Sequence, residues 1–277
     1  MPGRLILHIG LRKTGSSALQ ELLSKNGDLL SQHKLDYPAR LSRFPAHQEL
    51  AWALDTPRPY HDAHYDPDVV YGHFAAVVEG NADKGISTIL SSEDLSLLTF
   101  RQDQLIEVAR RFSDFQPEIV FFRRDPVSYH ISNYKHALFR ERETRPFAEY
   151  VFKVYVLCYA HRGFLMQAWG NAFGHDRVIE LPYARATIAQ ESILSRFLRH
   201  VFDIRIEDTF ANYRSNTSIP DCAVPYVRAL NASDYPEEAL AAVKEQMRSL
   251  PLSSSEEAFL AENLTSDERA ALDRLYG

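Results

Sequence analysis

The residues with the clearest chemical potential lie near the start of the chain, in the stretch LILHIGLRKTGSSALQ (5–20). Four residues separate Gly10 from Gly15, which is the glycine spacing of the G-x-x-x-x-G-K-[ST] loop that binds phosphate through backbone amides and a helix N-terminus. The match ends there, because Ser16 stands where that loop has its lysine and Lys13 precedes the second glycine. The sequence therefore predicts an anion-binding loop whose cation does not lie where it would reach a γ-phosphate.

A second candidate group follows later in the chain, in the stretch RDPVSYHISNY (124–134). An arginine at a strand end offers a planar set of donors to a phosphate, and a hydroxyl two helical turns further on can face the same anion. Arg124 and Ser132 have this spacing. The structural alternative is a salt bridge from Arg124 to Asp125 or to a nearby glutamate, with Ser132 on a polar helix face.

Both groups require a strand that ends next to a helix. Leu5–Ile9 is an apolar run of strand length, and a helical pattern begins at Ser16 or the residue after it. Glu118–Phe122 reads as a strand, and Asp125 and Pro126 suit the N-cap and the first position of a helix. We expect the first of these strands to be the central strand of a parallel sheet.

Other strands and helices alternate along the chain, with Gly27 expected to end the first helix. This order predicts a single α/β domain over 1–277, a three-layer fold like that of P-loop nucleoside triphosphatases, with a central parallel sheet flanked by helices. An irregular insertion on the substrate side is expected at about 37–80, and a helical tail at about 220–277. Further strands are predicted at Ile86–Ser92 and Arg177–Leu181, and helices at Gln104–Phe112, Phe147–Phe173, Ile193–Phe202, Val224–Leu230, Glu237–Met247 and Ser266–Tyr276.

Composition excludes several classes of function. The formal net charge of −6 over 277 residues argues against a nucleic-acid binder, which would carry a basic excess. Two cysteines cannot form a disulfide framework or a four-thiolate zinc site. The N-terminal apolar run is too short for a signal peptide or a membrane span. These features favour a cytoplasmic protein.

Taken together, the two groups resemble the cofactor site of sulfotransferases that use 3'-phosphoadenosine 5'-phosphosulfate (PAPS). KTGSS at 13–17 matches their Lys-[Thr/Ser]-Gly-[Thr/Ser]-[Thr/Ser] loop, and RDP at 124–126 matches their Arg-[Asp/Asn]-Pro strand end, with Ser132 eight residues after the arginine. The resemblance covers roughly the first two-thirds of the chain and is strongest to bacterial enzymes that act on carbohydrates or small molecules. Ala18 departs from the tryptophan of steroid and phenol sulfotransferases, and their basic Arg-Lys-Gly loop is missing.

The resemblance implies transfer of a sulfonyl group from PAPS to a hydroxyl or amine of a polar acceptor such as a carbohydrate, leaving adenosine 3',5'-bisphosphate, with no metal required. The acceptor could be a small molecule or be linked to a glycan or lipid. Lys13 would act as the electrostatic catalyst and Glu93 as the general base, with His47 and His73 as alternative bases and candidate substrate contacts. The implied cofactor contacts are Arg12, Lys13, Thr14, Gly15, Ser16, Ser17, Arg124 and Ser132, with Arg214 and Asn216 as candidate replacements for the missing basic loop.

The same residues leave two alternatives open. A P-loop kinase could use Mg-ATP, with Ser17 and either Asp94 or Asp125 holding the magnesium ion, although it would need a lysine at position 16. A non-catalytic module of the same fold could bind an anionic nucleotide without turnover. An arginine built for a 3'-phosphate would favour PAPS over ATP, because ATP would leave Arg124 without a partner.

Overall fold

A computed structural model of the protein describes residues 3–54, 65–153, 162–183, 191–210, 213, 219–248 and 255–276. The predicted α/β class is confirmed, since five strands form one sheet in the order β2-β3-β1-β4-β5, with parallel pairing between β1 and its two neighbours and between β2 and β3. The strands are β1 Leu5–His8, β2 Leu35–Asp36, β3 Ser87–Ser91, β4 Glu118–Arg124 and β5 Val178–Tyr183.

The chain divides into two compact units. The first comprises Met1–Arg123 and Arg162–Ser215, and the second comprises Arg124–His161 and Asn216–Gly277. The expected single-domain organisation stays a prediction. Helices of the first unit are α1 Ser16–Lys25, α2 Gly27–Gln32, α3 Glu49–Trp52, α4 Pro67–Ala82, α5 Gln102–Arg111, α8 Arg162–Phe173 and α9 Ile193–Phe202. Helices of the second are α6 Pro126–Arg140, α7 Phe147–Val151, α10 Val224–Asn231, α11 Glu237–Arg248, α12 Glu256–Asn263 and α13 Ser266–Tyr276.

Strand β1 lies at the centre of the sheet, as its composition predicts. All four of its residues are buried, and Leu7 is in register with Leu90 of β3 and Ile119 of β4. Helices α1 and α9 contribute to one hydrophobic cluster with the sheet, in which Leu19 and Phe197 are fully buried. Burial of an aliphatic or aromatic side chain of this size contributes about 1.5–3 kcal/mol. The packing therefore fixes the start of α1 at the carboxyl end of β1.

The insertion is more regular than the sequence analysis expects. Helix α4 runs for 16 residues within it, with Asp66 as N-cap accepting a hydrogen bond from the Asp68 amide and Pro67 in the first turn. This Asp-Pro pair repeats the cap that the sequence analysis identifies at Asp125 and Pro126. The prediction of an irregular insertion is therefore wrong for Pro67–Ala82, because Asp66 and Pro67 start a helix there despite the polar composition around them.

Two helix boundaries also differ from expectation. Gly27 begins α2 instead of ending α1, whose C-cap is Asn26. The helical region expected over Phe147–Phe173 contains two helices, since α7 ends at Val151 and α8 begins at Arg162; residues 154–161 lie outside the described residues. Helix α12 was not predicted, although Ser255 caps it by accepting a hydrogen bond from the Ala258 amide.

Candidate active site

The loop after β1 has an unusual backbone. Gly10, Lys13 and Gly15 all have positive φ angles, of 36°, 64° and 83°. Glycine adopts this left-handed region without penalty, whereas an L-residue with a side chain pays about 1–2 kcal/mol. Strain of this kind concentrates at functional sites, where the surrounding structure holds it in place. Lys13 is therefore held in a strained backbone conformation, whereas the glycines on either side adopt positive φ angles without strain.

Neither glycine leaves room for a side chain. A Cβ atom at Gly10 would lie 2.6 Å from Ser16 Oγ, and one at Gly15 would lie 2.6 Å from Ile193 Cδ1 and 2.9 Å from Tyr183 Cε2. These distances are shorter than real carbon contacts allow. The glycine spacing read from the sequence thus has a steric reason, and Gly15 packs directly against the start of α9 and the end of β5.

The hydroxyl groups of the loop differ in burial and in hydrogen bonding. Thr14 Oγ1 and Ser16 Oγ both donate to the Leu11 carbonyl, at 2.7 and 3.1 Å, and both side chains are buried. Ser17 is exposed. We conclude that two of the predicted cofactor contacts brace the loop through their side chains and can reach a ligand only through their amides.

The N-terminus of α1 is suited to an anion. Gly15 is its N-cap and offers no side-chain capping bond, and the first turn contains no acidic residue. The first amides of a helix have no acceptor within the helix and carry the positive end of its dipole. These amides, with the cationic residues Arg12 and Lys13 just before them in the loop, could bind an anion.

Glu93 follows β3 and lies next to the loop. Its Oε1 is 3.8 Å from Arg12 Nε, and its side chain is 26% exposed. Burial raises the pKa of Glu93 above its ordinary value; Arg12 and Lys13 lower the pKa, and the neighbouring Asp94 raises it. Two cations of the loop therefore act on one partly desolvated carboxylate at the carboxyl end of the adjacent strand.

Residues around Glu93 have structural partners of their own. Asp94 accepts a hydrogen bond of 2.8 Å from Trp52 Nε1. Glu93 precedes the 3-10 helix Asp94–Phe100, but its side chain makes no capping bond there; its carbonyl accepts from the Ser96 amide and hydroxyl instead. The buried Ser92 hydroxyl has no hydrogen-bond partner among the described residues. The Glu93 carboxylate is thus not used as a helix cap.

His47 has a structural position. It is fully buried, its amide donates to the Ser91 carbonyl at 2.7 Å, and its Nδ1 accepts from the Ser91 amide at 3.0 Å. Its Nε2 lies 3.3 Å from the Pro38 carbonyl. Burial lowers the pKa of His47 to about 4. With both ring nitrogens facing backbone groups, His47 fixes the end of β3, whereas His73 is exposed on α4.

A buried polar group beneath the loop was not predicted. Ser91 Oγ accepts from Gln20 Nε2 at 3.0 Å and lies 2.7 Å from His8 Nδ1. These contacts tie β1, β3 and α1 together below the loop. Burial lowers the pKa of His8 to about 3, so the imidazole is neutral. The only signal in the sequence is a glutamine on the otherwise apolar face of α1.

The second predicted group lies in the other unit. Arg124 ends β4 with a side chain only 7% exposed, and its Nη2 is 3.7 Å from Glu256 Oε1. Ser128 Oγ donates to the other oxygen of the same carboxylate. Asp125 caps α6 by accepting from the Ser128 amide at 2.9 Å, as predicted. Ser132 is buried one turn further along this helix.

The salt-bridge alternative is therefore realised in this structure, but with Glu256 and not Asp125. Glu256 thus already supplies Arg124 with a partner in the protein alone, and the expected preference for PAPS over ATP stays a prediction. Arg214 and Asn216 lie outside the described residues. Within the part of the chain that the structure describes, no cluster of three or more His, Cys, Asp or Glu could hold a metal ion. No described helix is long and apolar enough to cross a bilayer.

Comparison with known proteins adds a distant likeness among solved structures. No protein-family model matches the chain, and no curated protein matches it at a significant level. Among solved structures, the crystal structure of a sulfotransferase from Alicyclobacillus acidocaldarius aligns over 97% of this chain and 99% of its own, with 16% identity and a TM-score of 0.43. These values are too low to carry a functional argument.

Proposed function

We propose that the protein is a sulfotransferase that moves a sulfonyl group from PAPS to a hydroxyl or amine of a polar acceptor such as a carbohydrate. The observation that carries the proposal is the position of Glu93 beside Arg12 and Lys13. A cationic loop that can hold the donor and a carboxylate that can take the acceptor's proton lie at the carboxyl ends of neighbouring parallel strands. Ligands bind at that end of open α/β sheets.

The donor would be held at its 5' end by the loop. Lys13, the Arg12 guanidinium and the amides at the start of α1 face the phosphosulfate, while Thr14 and Ser16 keep the loop in shape. PAPS supplies an activated sulfonyl group on a phosphate leaving group. Negative charge grows on the bridging phosphate oxygen as the bond to sulfur breaks, and Lys13 stabilises that charge.

Glu93 is proposed as the general base. It accepts the proton from the acceptor hydroxyl or amine and later releases it to solvent. Its partial burial strengthens it as a base, and the two loop cations favour its ionised form. His47 is left out of the proposed acceptor site because its ring is buried among backbone groups. His73 stays a candidate contact on the exposed face of α4.

Arg124 and Ser132 are proposed to bind the 3'-phosphate of a nucleotide. A guanidinium makes strong paired hydrogen bonds to phosphate, and a nucleotide with a 3'-hydroxyl cannot gain them. The kinase alternative is disfavoured by the roles of its magnesium ligands. Asp94 is engaged by the Trp52 indole, and Asp125 caps α6.

Thermal unfolding with nucleotides tests the proposal. A ligand present at a hundred times its dissociation constant stabilises a protein by about 2.7 kcal/mol. We expect stabilisation by adenosine 3',5'-bisphosphate without magnesium, and a weaker effect in Arg124→Ala. Lys13→Ala should abolish most turnover of PAPS with an acceptor panel while retaining much of the nucleotide binding.

Three results would separate the alternatives. Stabilisation that occurs only with Mg-ATP would replace the proposal with a kinase. Binding of the bisphosphate without hydrolysis or transfer from PAPS would indicate a non-catalytic module. An unchanged rate in Lys13→Ala would remove that residue from the mechanism.

A further inference from the structure

The group proposed to bind a 3'-phosphate already holds an anion supplied by the protein. The Glu256 carboxylate contacts Arg124 with one oxygen, at 3.7 Å, and accepts from the Ser128 hydroxyl with the other. A carboxylate that contacts a guanidinium and a serine in this way occupies the kind of site that a phosphate oxygen would take. The inference below concerns this carboxylate and depends on the proposed function.

The position of Glu256 is set by helix α12. Ser255 caps the helix, which places Glu256 in its first turn. Phe259 is almost fully buried, its ring centroid is 5.3 Å from that of Phe147, and Lys135 Nζ lies 5.4 Å from it. Because these contacts hold α12 in place, Glu256 is directed toward Arg124 by the packing of the unit.

We propose that Glu256 is an internal competitor of the 3'-phosphate and sets the affinity for the nucleotide. A phosphate monoester carries a charge of about −1.5 to −2 at neutral pH, so it can displace a carboxylate from Arg124. The displacement costs part of the binding free energy. A nucleotide with a 3'-hydroxyl leaves the Arg124 contact with Glu256 intact and pays no such cost.

The competition has a use in catalysis. The donor and the product adenosine 3',5'-bisphosphate carry the same 3'-phosphate, so the competitor weakens the binding of both by the same factor. Product release limits many enzymes. Glu256 therefore weakens the hold on the product and returns to Arg124 when the nucleotide leaves.

Isothermal titration with two ligands tests this role. Adenosine 3',5'-bisphosphate carries the 3'-phosphate, and adenosine 5'-monophosphate does not. Glu256→Gln should bind the bisphosphate about three- to tenfold more tightly than wild type, with affinity for the monophosphate changed by less than about twofold. Glu262→Gln, the matched control, removes the same charge from an exposed position on α12 and should behave as wild type.

Two further variants keep the test decisive. Glu256→Asp retains the helix N-terminal charge but shortens the reach to Arg124, so it should give a smaller gain in the same direction. On an Arg124→Ala background, Glu256→Gln should have no effect on bisphosphate affinity. If folded Glu256→Gln bound the bisphosphate as tightly as wild type or more weakly, the role of Glu256 as a competitor would be overturned, whereas the proposed function would not be affected. Equal affinity of the wild type for both nucleotides would overturn the proposed 3'-phosphate site, and the inference with it.

Discussion

Replacing Gly15 by alanine tests the conformation of the loop on which the proposed function depends. Gly15 has a φ angle of 83°, which costs an alanine about 1–2 kcal/mol. The added Cβ would also lie 2.6 Å from Ile193 Cδ1 and 2.9 Å from Tyr183 Cε2. Forcing a methyl group into a packed position costs about 1–3 kcal/mol. The sum predicts a loss of about 2–5 kcal/mol in the free energy of unfolding.

Gly27→Ala is the matched control. The same methyl group at Gly27 meets no atom within 4 Å, and this residue begins helix α2. An alanine there should leave the protein unchanged or stabilise it by up to about 1 kcal/mol, because it restricts the unfolded chain and favours the helix. The pair therefore differs in backbone strain and contacts, while the chemical change is identical.

Urea unfolding followed by circular dichroism measures both variants against wild type. Titration with adenosine 3',5'-bisphosphate adds a second readout, in which Gly15→Ala should lose affinity because the amides at the start of α1 are displaced. If Gly15→Ala were as stable as Gly27→Ala, the loop could not have the described backbone. The steric account of the glycine spacing would then be refuted.

Three further predictions concern charge and pH. Burial lowers the pKa of three histidines from 6.5, to about 3 for His8 and to about 4 for His47 and His130. Below pH 6.5 the unfolded chain therefore binds protons that the folded protein does not. Stability should fall between pH 6.5 and about 4, by about 1 kcal/mol per pH unit for each histidine, and a flat urea-unfolding series would contradict this. Burial raises the pKa of Glu93, so its ionised form destabilises the fold. Glu93→Gln should therefore unfold at a higher urea concentration than wild type at neutral pH, and this gain in stability should shrink as the pH falls. A gain that does not change with pH would argue against a titrating carboxylate. Lys244 donates to two carbonyls at the end of α6, so Lys244→Met should lower the free energy of unfolding by about 1–3 kcal/mol. If the variant were as stable as wild type, water would have to replace the ammonium group as the donor to these carbonyls.

Local sequence patterns predicted much of the fold. The helix at Ile193–Phe202 has the predicted bounds, and the cap formed by Asp125 and Pro126 is present. The strand at Glu118 begins where expected and ends at Arg124, two residues later than predicted. These features depend on apolar periodicity and on hydrogen bonds between residues close in the chain, so the nearby sequence is sufficient to read them. Helix α4 was the exception, because the Pro- and His-rich composition around it is typical of irregular structure although Asp66 and Pro67 form a helix cap.

The sequence by itself indicated where the loop lies, with its glycines and the lysine between them, because the glycine spacing and the strand and helix patterns on either side are local features. Only the tertiary structure decided which partners the charged and polar side chains meet. It places Arg12 beside Glu93, buries His47 against Ser91, and gives Arg124 the carboxylate of Glu256. Such pairs join segments that are distant in the chain, and their formation depends on how the helices pack, which no local pattern encodes.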